Sequence, residues 1–301
     1  MKQPLKNWII AFRPWAFPAS TMPVILTMSY LFYEYDAFNL DLQNWYYGFY
    51  ALIGVMFVHA GSNLISDYFD YKNNIDRKET FGSSRMIVDG VFKPSTILNY
   101  GIILLGIGAV IGLVLAVFVG PHLLWIGLLG VIGAFFYYKF KFAALGDLLI
   151  FIIYGPLIGL GTAYVMSSEL YWKVLLINIP IAMLVVNILH ANNTRDIKHD
   201  AVANIKTQAM LLGLKGSKIQ YVVLSLGAYV VLMVLNAFGI VHPLTLITLI
   251  TLPIALKNNK LMMKAEINKP EIIKNLDAMS AQLVVAFGLL FSIMNVIAKA
   301  I

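Results

Sequence analysis

Cysteine is absent from the 301 residues, which excludes disulfides, thiolate metal centres and cysteine nucleophiles. Charge is scarce: Asp, Glu, Lys and Arg make up 12% of the chain against 60% apolar residues, a balance foreign to soluble domains. No Gly/Ser linker, low-complexity tract or block of like charge divides the chain, so residues 1–301 are expected to form one transmembrane domain. Also missing are His-Glu-x-x-His, Gly-x-Ser-x-Gly and a phosphate-binding glycine loop. The opening MKQPLKNWIIAFRPWAFPAS has no cleavable signal pattern, because Arg13, Pro14 and Pro18 interrupt its apolar run.

What the chain has is long apolar runs. Nine can be marked: residues 17–33, 45–66, 96–119, 122–138, 143–166, 172–193, 219–241, 244–256 and 278–301. Most reach the ~20 residues that cross a hydrocarbon core of ~30 Å, and the eighth is short. The expected fold is therefore all-α, a polytopic membrane bundle of about nine helices. The formal charge of +7 does not indicate nucleic acid, because the basic residues are scattered through short loops. With the N-terminus inside, 20 of the 22 Lys and Arg residues fall on the inner side, leaving Lys173 and Lys299 outside. The predicted location is the plasma membrane, with a cytoplasmic N-terminus.

Two acidic clusters stand out against this background. Asn63, Asp67, Asp70 and Asp76 follow the second apolar run, and Asn192, Asp196 and Asp200 follow the sixth. Asn63 to Asp67 and Asn192 to Asp196 share one spacing, and positions three or four apart share a helix face. Both clusters fall at inner helix ends. One acidic helix end is ordinary; two in matched positions suggest a site. Carboxylates crowded together need something positive between them, and Mg2+ completed by substrate phosphates is the usual answer. Lys139 and Arg195 are candidate diphosphate ligands, as are Arg85 and Lys206. Tyr68, Phe69, Tyr71, Tyr137 and Tyr138 lie near the site, where aromatic faces can stabilise a cation, although interface belts also collect such residues. His59, one turn before Asn63, is expected to be packed and hydrogen-bonded. His199 is expected to point away from its neighbouring acids, and His122, His190 and His242 fit no ligand spacing.

These residues resemble the UbiA superfamily of intramembrane prenyltransferases, and within it the 1,4-dihydroxy-2-naphthoate polyprenyltransferases of menaquinone synthesis. The likeness is carried by FRPWAFPASTMPV at 12–24, SDYFDYKNNID at 66–76, GSSRMIVDGVFKP at 82–94, ALGDLLIFIIYGP at 144–156 and NNTRDIKHDAVANIKTQAMLLG at 192–213. It implies nine helices and transfer of a polyprenyl group from a polyprenyl diphosphate to an aromatic acceptor. It also implies that Asp67, Asp70, Asp196 and Asp200 bind Mg2+, with Asn63, Asp76, Arg85, Asn192, Arg195 and Lys206 around the substrates. No nucleic acid or obligate protein partner is implied. Ser66, Asn74 and Asn204 depart from the family pattern, the last two standing where Gly is common. The rival readings are another acceptor (4-hydroxybenzoate, homogentisate, haem or a glycerol phosphate lipid) or a cation-coupled transporter. Transporter sites tend to lie near the bilayer midplane rather than at helix ends.

Overall fold

The structure is a computed structural model that describes residues 3–34, 40–81, 84–203 and 205–301. Lys2, Gly82, Ser83 and Asn204, which figure in the sequence reading, lie outside those residues. Helix α1 (Leu5–Ala11) is short and stops at Arg13, whose left-handed backbone (φ 57°) turns the chain through the 3₁₀ segment Pro14–Ala16 into α2 (Pro18–Tyr33). The two arms meet at 57°. Helix α3 (Leu42–Lys72) opens with a capping box between Asp41 and Asn44 and runs into the first acidic cluster. Asn74 just beyond it has φ 56°, the left-handed conformation that Gly and Asn adopt most readily.

Helix α4 (Pro94–Val119) starts on a proline and ends at Gly120, φ 115°. It is followed by α5 (His122–Phe142) and by α6 (Gly146–Ser167), which carries a π-turn at Ile153–Leu157 around Pro156. Helix α7 (Ile179–Val202) bears the second acidic cluster, and α8 (Gln208–Ala237), α9 (Leu252–Met263) and α10 (Leu276–Lys299) complete the bundle.

Among the described residues six helical stretches are long and apolar enough to span a bilayer, and the bent α1–α2 pair, taken as one span, makes a seventh. The expected sixth span falls short because Asn187, His190, Asn192, Asn193 and Arg195 interrupt the apolar face of α7. The eighth is divided between the 3₁₀ segment Pro243–Thr251 and α9. The helices form a ring closed by α10 packing on α2. Its main core is built from residues such as Leu26, Tyr30, Ile181, Phe287 and Phe291. Val117, Phe118 and Ile250 face outward, as lipid contact requires.

Helices α3 and α4 approach most closely through glycines seven residues apart on each: Gly54 and Gly61, Gly101 and Gly108. A Cβ at Gly61 would lie 2.7 Å from both the Gly101 carbonyl oxygen and the Leu105 nitrogen. Gly61→Val is therefore expected to force the two backbones apart and lower the melting temperature in detergent, at a cost of about 1–3 kcal/mol or more. Gly106→Val, on the outward face of α4 with nothing within 4 Å of its Cβ, should leave the melting temperature unchanged.

Candidate functional site

The inner ends of α3 and α7 meet. Asp70, Asp76, Asn192, Arg195, Asp196 and Asp200 all line one polar cavity of about 90 Å³, together with Arg13, Tyr137 and Lys141. Asp70 and Asp200, 130 residues apart in the chain, thus share one small space. Within it Lys141 Nζ donates to Asp70 Oδ2 at 3.0 Å, and Ser66 Oγ donates to the same oxygen at 3.4 Å. Asp70 Oδ1 and Asn192 Oδ1 are buried without a hydrogen bond.

Asp67 sits one turn back from Asp70. One of its oxygens is paired with the Arg13 guanidinium, and Oδ2 accepts from Ser84 Oγ at 2.7 Å and Ser84 N at 3.2 Å. The left-handed turn at Arg13 delivers this side chain, which the sequence reading counted only among the anchor charges. The Arg-Pro of FRPWAFP was the available signal. Arg195 grips Asp196 with two bonds, Nε to Oδ1 at 2.9 Å and Nη2 to Oδ2 at 2.6 Å. Its remaining Nη1 donates to the Lys274 carbonyl at 3.2 Å, and the guanidinium lies 5.5 Å from the Phe81 ring centroid. Burial pushes the Asp200 carboxyl up to about 7; Lys141 and Arg195 oppose the shift and the Asp196 and Asp70 carboxylates add to it.

Other predicted residues stand elsewhere. Asn63 donates to the Phe12 carbonyl at 3.3 Å and faces a second, apolar cavity. Arg85, also left-handed at φ 59°, donates to the Thr80 carbonyl at 2.9 Å and to Asp89 at 3.0 Å and lines neither cavity. Lys139 lies 5.0 Å over the Phe136 ring, and Lys141 two residues on is the lysine that reaches the carboxylates. Lys206 has an exposed side chain, and its backbone N–H donates to the Phe142 carbonyl, joining the loops after α5 and α7. His199 lines the polar cavity rather than turning from it, and its carbonyl accepts from Arg77 at 3.3 Å.

A cluster the sequence reading missed braces α7 from behind. Asp147 on α6 accepts from Asn193 at 3.3 Å and from Gln220 at 2.9 Å, and lies 2.7 Å from His190 Nδ1. His190 Nε2 is in turn 3.1 Å from the Ser217 carbonyl oxygen. The Leu-Gly-Asp run marked one half of this cluster, and nothing in local spacing marked the other.

The second cavity is large, about 640 Å³, and its walls are mostly Leu, Ile, Val, Ala and Gly from α2 to α7, with Ser20, His59, Ser62 and Thr162 among them. Arg13, Ser66, Tyr137, Leu189 and Asn192 line both cavities, so the polar chamber and the apolar chamber adjoin. The apolar one follows α3 from Ser66 back to Ala51, about 22 Å at 1.5 Å per residue.

Among the described residues no three acidic or histidine side chains converge closely enough to hold a metal ion by themselves. Instead the acids are partly balanced by Arg13, Lys141 and Arg195. The oxygens left over, Asp70 Oδ1 and Asn192 Oδ1 beside the Asp200 carboxyl, are hard donors that suit Mg2+. They fit an ion that keeps most of its ligands as water and substrate phosphate rather than one caged by protein alone.

A model of the UbiA prenyltransferase family matches residues 11–270. Human UbiA prenyltransferase domain-containing protein 1 is 30% identical over 275 residues, 89% of this chain and 78% of the relative. The Drosophila melanogaster homologue of that protein is 32% identical over 264 residues, 85% and 71% of the two chains. Among solved structures, a UbiA homologue from Aeropyrum pernix K1 superposes with a TM-score of 0.64 at 14% identity, covering 88% of this chain and 96% of that one. A UbiA homologue from Archaeoglobus fulgidus bound to GPP and Mg2+ gives 0.61 at 15%, covering 95% and 99%.

Proposed function

The chain belongs to the UbiA prenyltransferase family, and from that premise we propose that it transfers a polyprenyl group from an allylic polyprenyl diphosphate to 1,4-dihydroxy-2-naphthoate, giving demethylmenaquinone in its quinol form. Prenyl transfer as such comes with the family. The acceptor is the narrower reading, supported by the sequence likeness carried by the Arg-Pro start, the Gly-Ser-Ser-Arg run and the Leu-Gly-Asp run.

The observation that carries the reaction is the junction of the two cavities. A prenyl diphosphate has a polyanionic head and a long apolar tail, and the polar and apolar chambers divide in the same way. Lys141 and Arg13 supply positive charge to the head. Asp70 and Asp200, with Asn192, are the residues that would hold Mg2+, the ion with which the Archaeoglobus neighbour was solved alongside GPP. Asp67 and Asp196, expected with them, are engaged by Arg13 and Arg195. Once bound, Mg2+ neutralises charge that develops on the diphosphate as its bond to the allylic carbon breaks. Arg195, with its donors committed to Asp196 and the Lys274 carbonyl, orients Asp196 rather than the phosphate.

Tyr137 borders both cavities and Tyr154 the apolar one, so aromatic faces stand where an allylic cation would form, each worth ~0.5–2 kcal/mol. The apolar walls keep water from that cation. The acceptor ring carbon bonds to it, and the ring carboxylate departs as carbon dioxide, leaving its bonding electrons in the ring. The chain works as one domain in the plasma membrane. With the N-terminus cytoplasmic, most basic residues lie on the same side as the polar cavity.

The test is transfer of labelled prenyl diphosphate by membranes containing the protein, with each acceptor in turn: 1,4-dihydroxy-2-naphthoate, 4-hydroxybenzoate, homogentisate, haem and a glycerol phosphate lipid. The expected product is prenylated naphthoquinol. Product from another acceptor alone would refute the naphthoate assignment. Chelation should abolish transfer and Mg2+ restore it, and indifference to chelator would remove the ion from the reaction.

A further inference from the structure

We propose that His59 recognises a ring hydroxyl of the aromatic acceptor, an inference that rests on the prenyl-transfer reading above. His59 lies on α3 one turn before Asn63, only 7% exposed, and it lines the apolar chamber. The sequence predicts a packed, satisfied histidine, and the structure satisfies one side of the ring only. Nδ1 lies 2.9 Å from Ser20 Oγ. The imidazole is steadied edge-on by Tyr154 at 5.1 Å between ring centroids and tilted against Phe17 at 5.8 Å. Nε2 has no partner among the described residues.

A polar nitrogen set in an apolar wall costs free energy unless a ligand reaches it. The prenyl tail is hydrocarbon and offers nothing. The diphosphate belongs to the polar cavity, which His59 does not line. What remains is the acceptor. Ser66, which borders both cavities, is seven residues further along α3, about 10 Å along the axis. That interval holds one aromatic ring between His59 and the bond that breaks.

The hydrogen-bond pattern narrows the ligand group. The Phe17 carbonyl already accepts from Thr21 N and Thr21 Oγ1, both at 2.9 Å, against 3.2 Å from Ser20 Oγ. The Ser20 proton is therefore better directed at His59 Nδ1, which leaves the ring hydrogen on Nε2, the nitrogen without a partner. A phenolic oxygen accepts that hydrogen, and in the opposite tautomer a phenolic O–H donates to the bare nitrogen. A hydroxyl serves both tautomers. A methyl ether cannot donate and brings a methyl group into the same space.

The test compares wild type, His59→Phe and His59→Gln as full-length protein. The probes are geranylgeranyl diphosphate with 1,4-dihydroxy-2-naphthoate or its methyl ethers, and melting temperature is measured in parallel. Wild type should prefer the free hydroxyl. His59→Phe should raise the acceptor KM roughly tenfold, the worth of one hydrogen bond of ordinary strength, and lose that preference. The KM for the prenyl diphosphate should not move. His59→Gln, which keeps a donor and an acceptor, should recover part of the preference, and it carries the test if His59→Phe does not fold. Active variants that retain both the acceptor KM and the hydroxyl preference would overturn the assignment. A rise in both KM values together with a fall in melting temperature would also overturn it, by marking His59 as structural. A wild type inert toward every hydroxylated aromatic would instead bring down the broader acceptor reading.

Discussion

Asp70→Asn and Asp200→Asn should each lower prenyl transfer by roughly a hundredfold or more while leaving the protein inserted and folded. Removing one well-aimed electrostatic group from a water-poor site typically costs 10²–10³ in rate. Both carboxyls face the polar cavity, and Asp70 reaches another element only through Lys141 on α5. An Asn at 70 can still accept the Lys141 hydrogen bond, so the fold loses little while the cavity loses a charge. Asp67→Asn should behave differently. Asp67 is tied to Arg13 and to Ser84, and through them to the turn before α2 and the loop after α3. Its removal leaves the Arg13 charge without its partner, a cost of up to about 3 kcal/mol that shows as a lower melting temperature. The double change Arg13→Met with Asp67→Asn should recover that melting temperature and not the activity. Paired activity and melting measurements on the four variants decide the matter. Full activity in Asp70→Asn or Asp200→Asn would remove the site.

The sequence made some of this legible and hid the rest for identifiable reasons. The all-helical fold and the order of its helices follow from apolar run length, because hydrocarbon leaves the backbone few other options. The count of nine spans does not, since polar residues interrupt α7 and the eighth run is split. The two Asp clusters could be matched by their common spacing, and their convergence required only that both lie at the same edge. Where reading failed, the cause was backbone geometry that composition does not record. Arg13 reaches Asp67 because one residue adopts φ 57°, and no periodicity argues for that. The Asp147–His190–Gln220 brace joins three helices, and its members look like isolated polar residues in the chain. His59 looked satisfied because a buried histidine usually is. Only the lack of a partner at its second nitrogen, on a residue that lines the chamber, separates it from that majority.

Lys139 and Lys141 give the sharpest case, since the sequence selects the first and the structure the second. Both follow the fifth helix's apolar run and differ by two residues, about 200° around a helix of 3.6 residues per turn. That angle decides everything. Lys141 turns inward to Asp70 at 3.0 Å, whereas Lys139 spreads over Phe136 as an interfacial anchor. Lys141→Met should lower kcat/KM for the prenyl diphosphate roughly a hundredfold, because it removes a charge aimed at the head group inside a poorly solvated cavity. Lys139→Met should change it by less than about twofold, since an exposed charge at the edge is screened. The two variants are equal in composition, net charge and loss of one lysine, so a shared defect in insertion or expression would affect both alike. Equal losses of kcat/KM at equal folded protein would place the diphosphate outside this cavity. A loss confined to Lys141→Met would tie its binding to the side of the helix that faces the two acidic clusters.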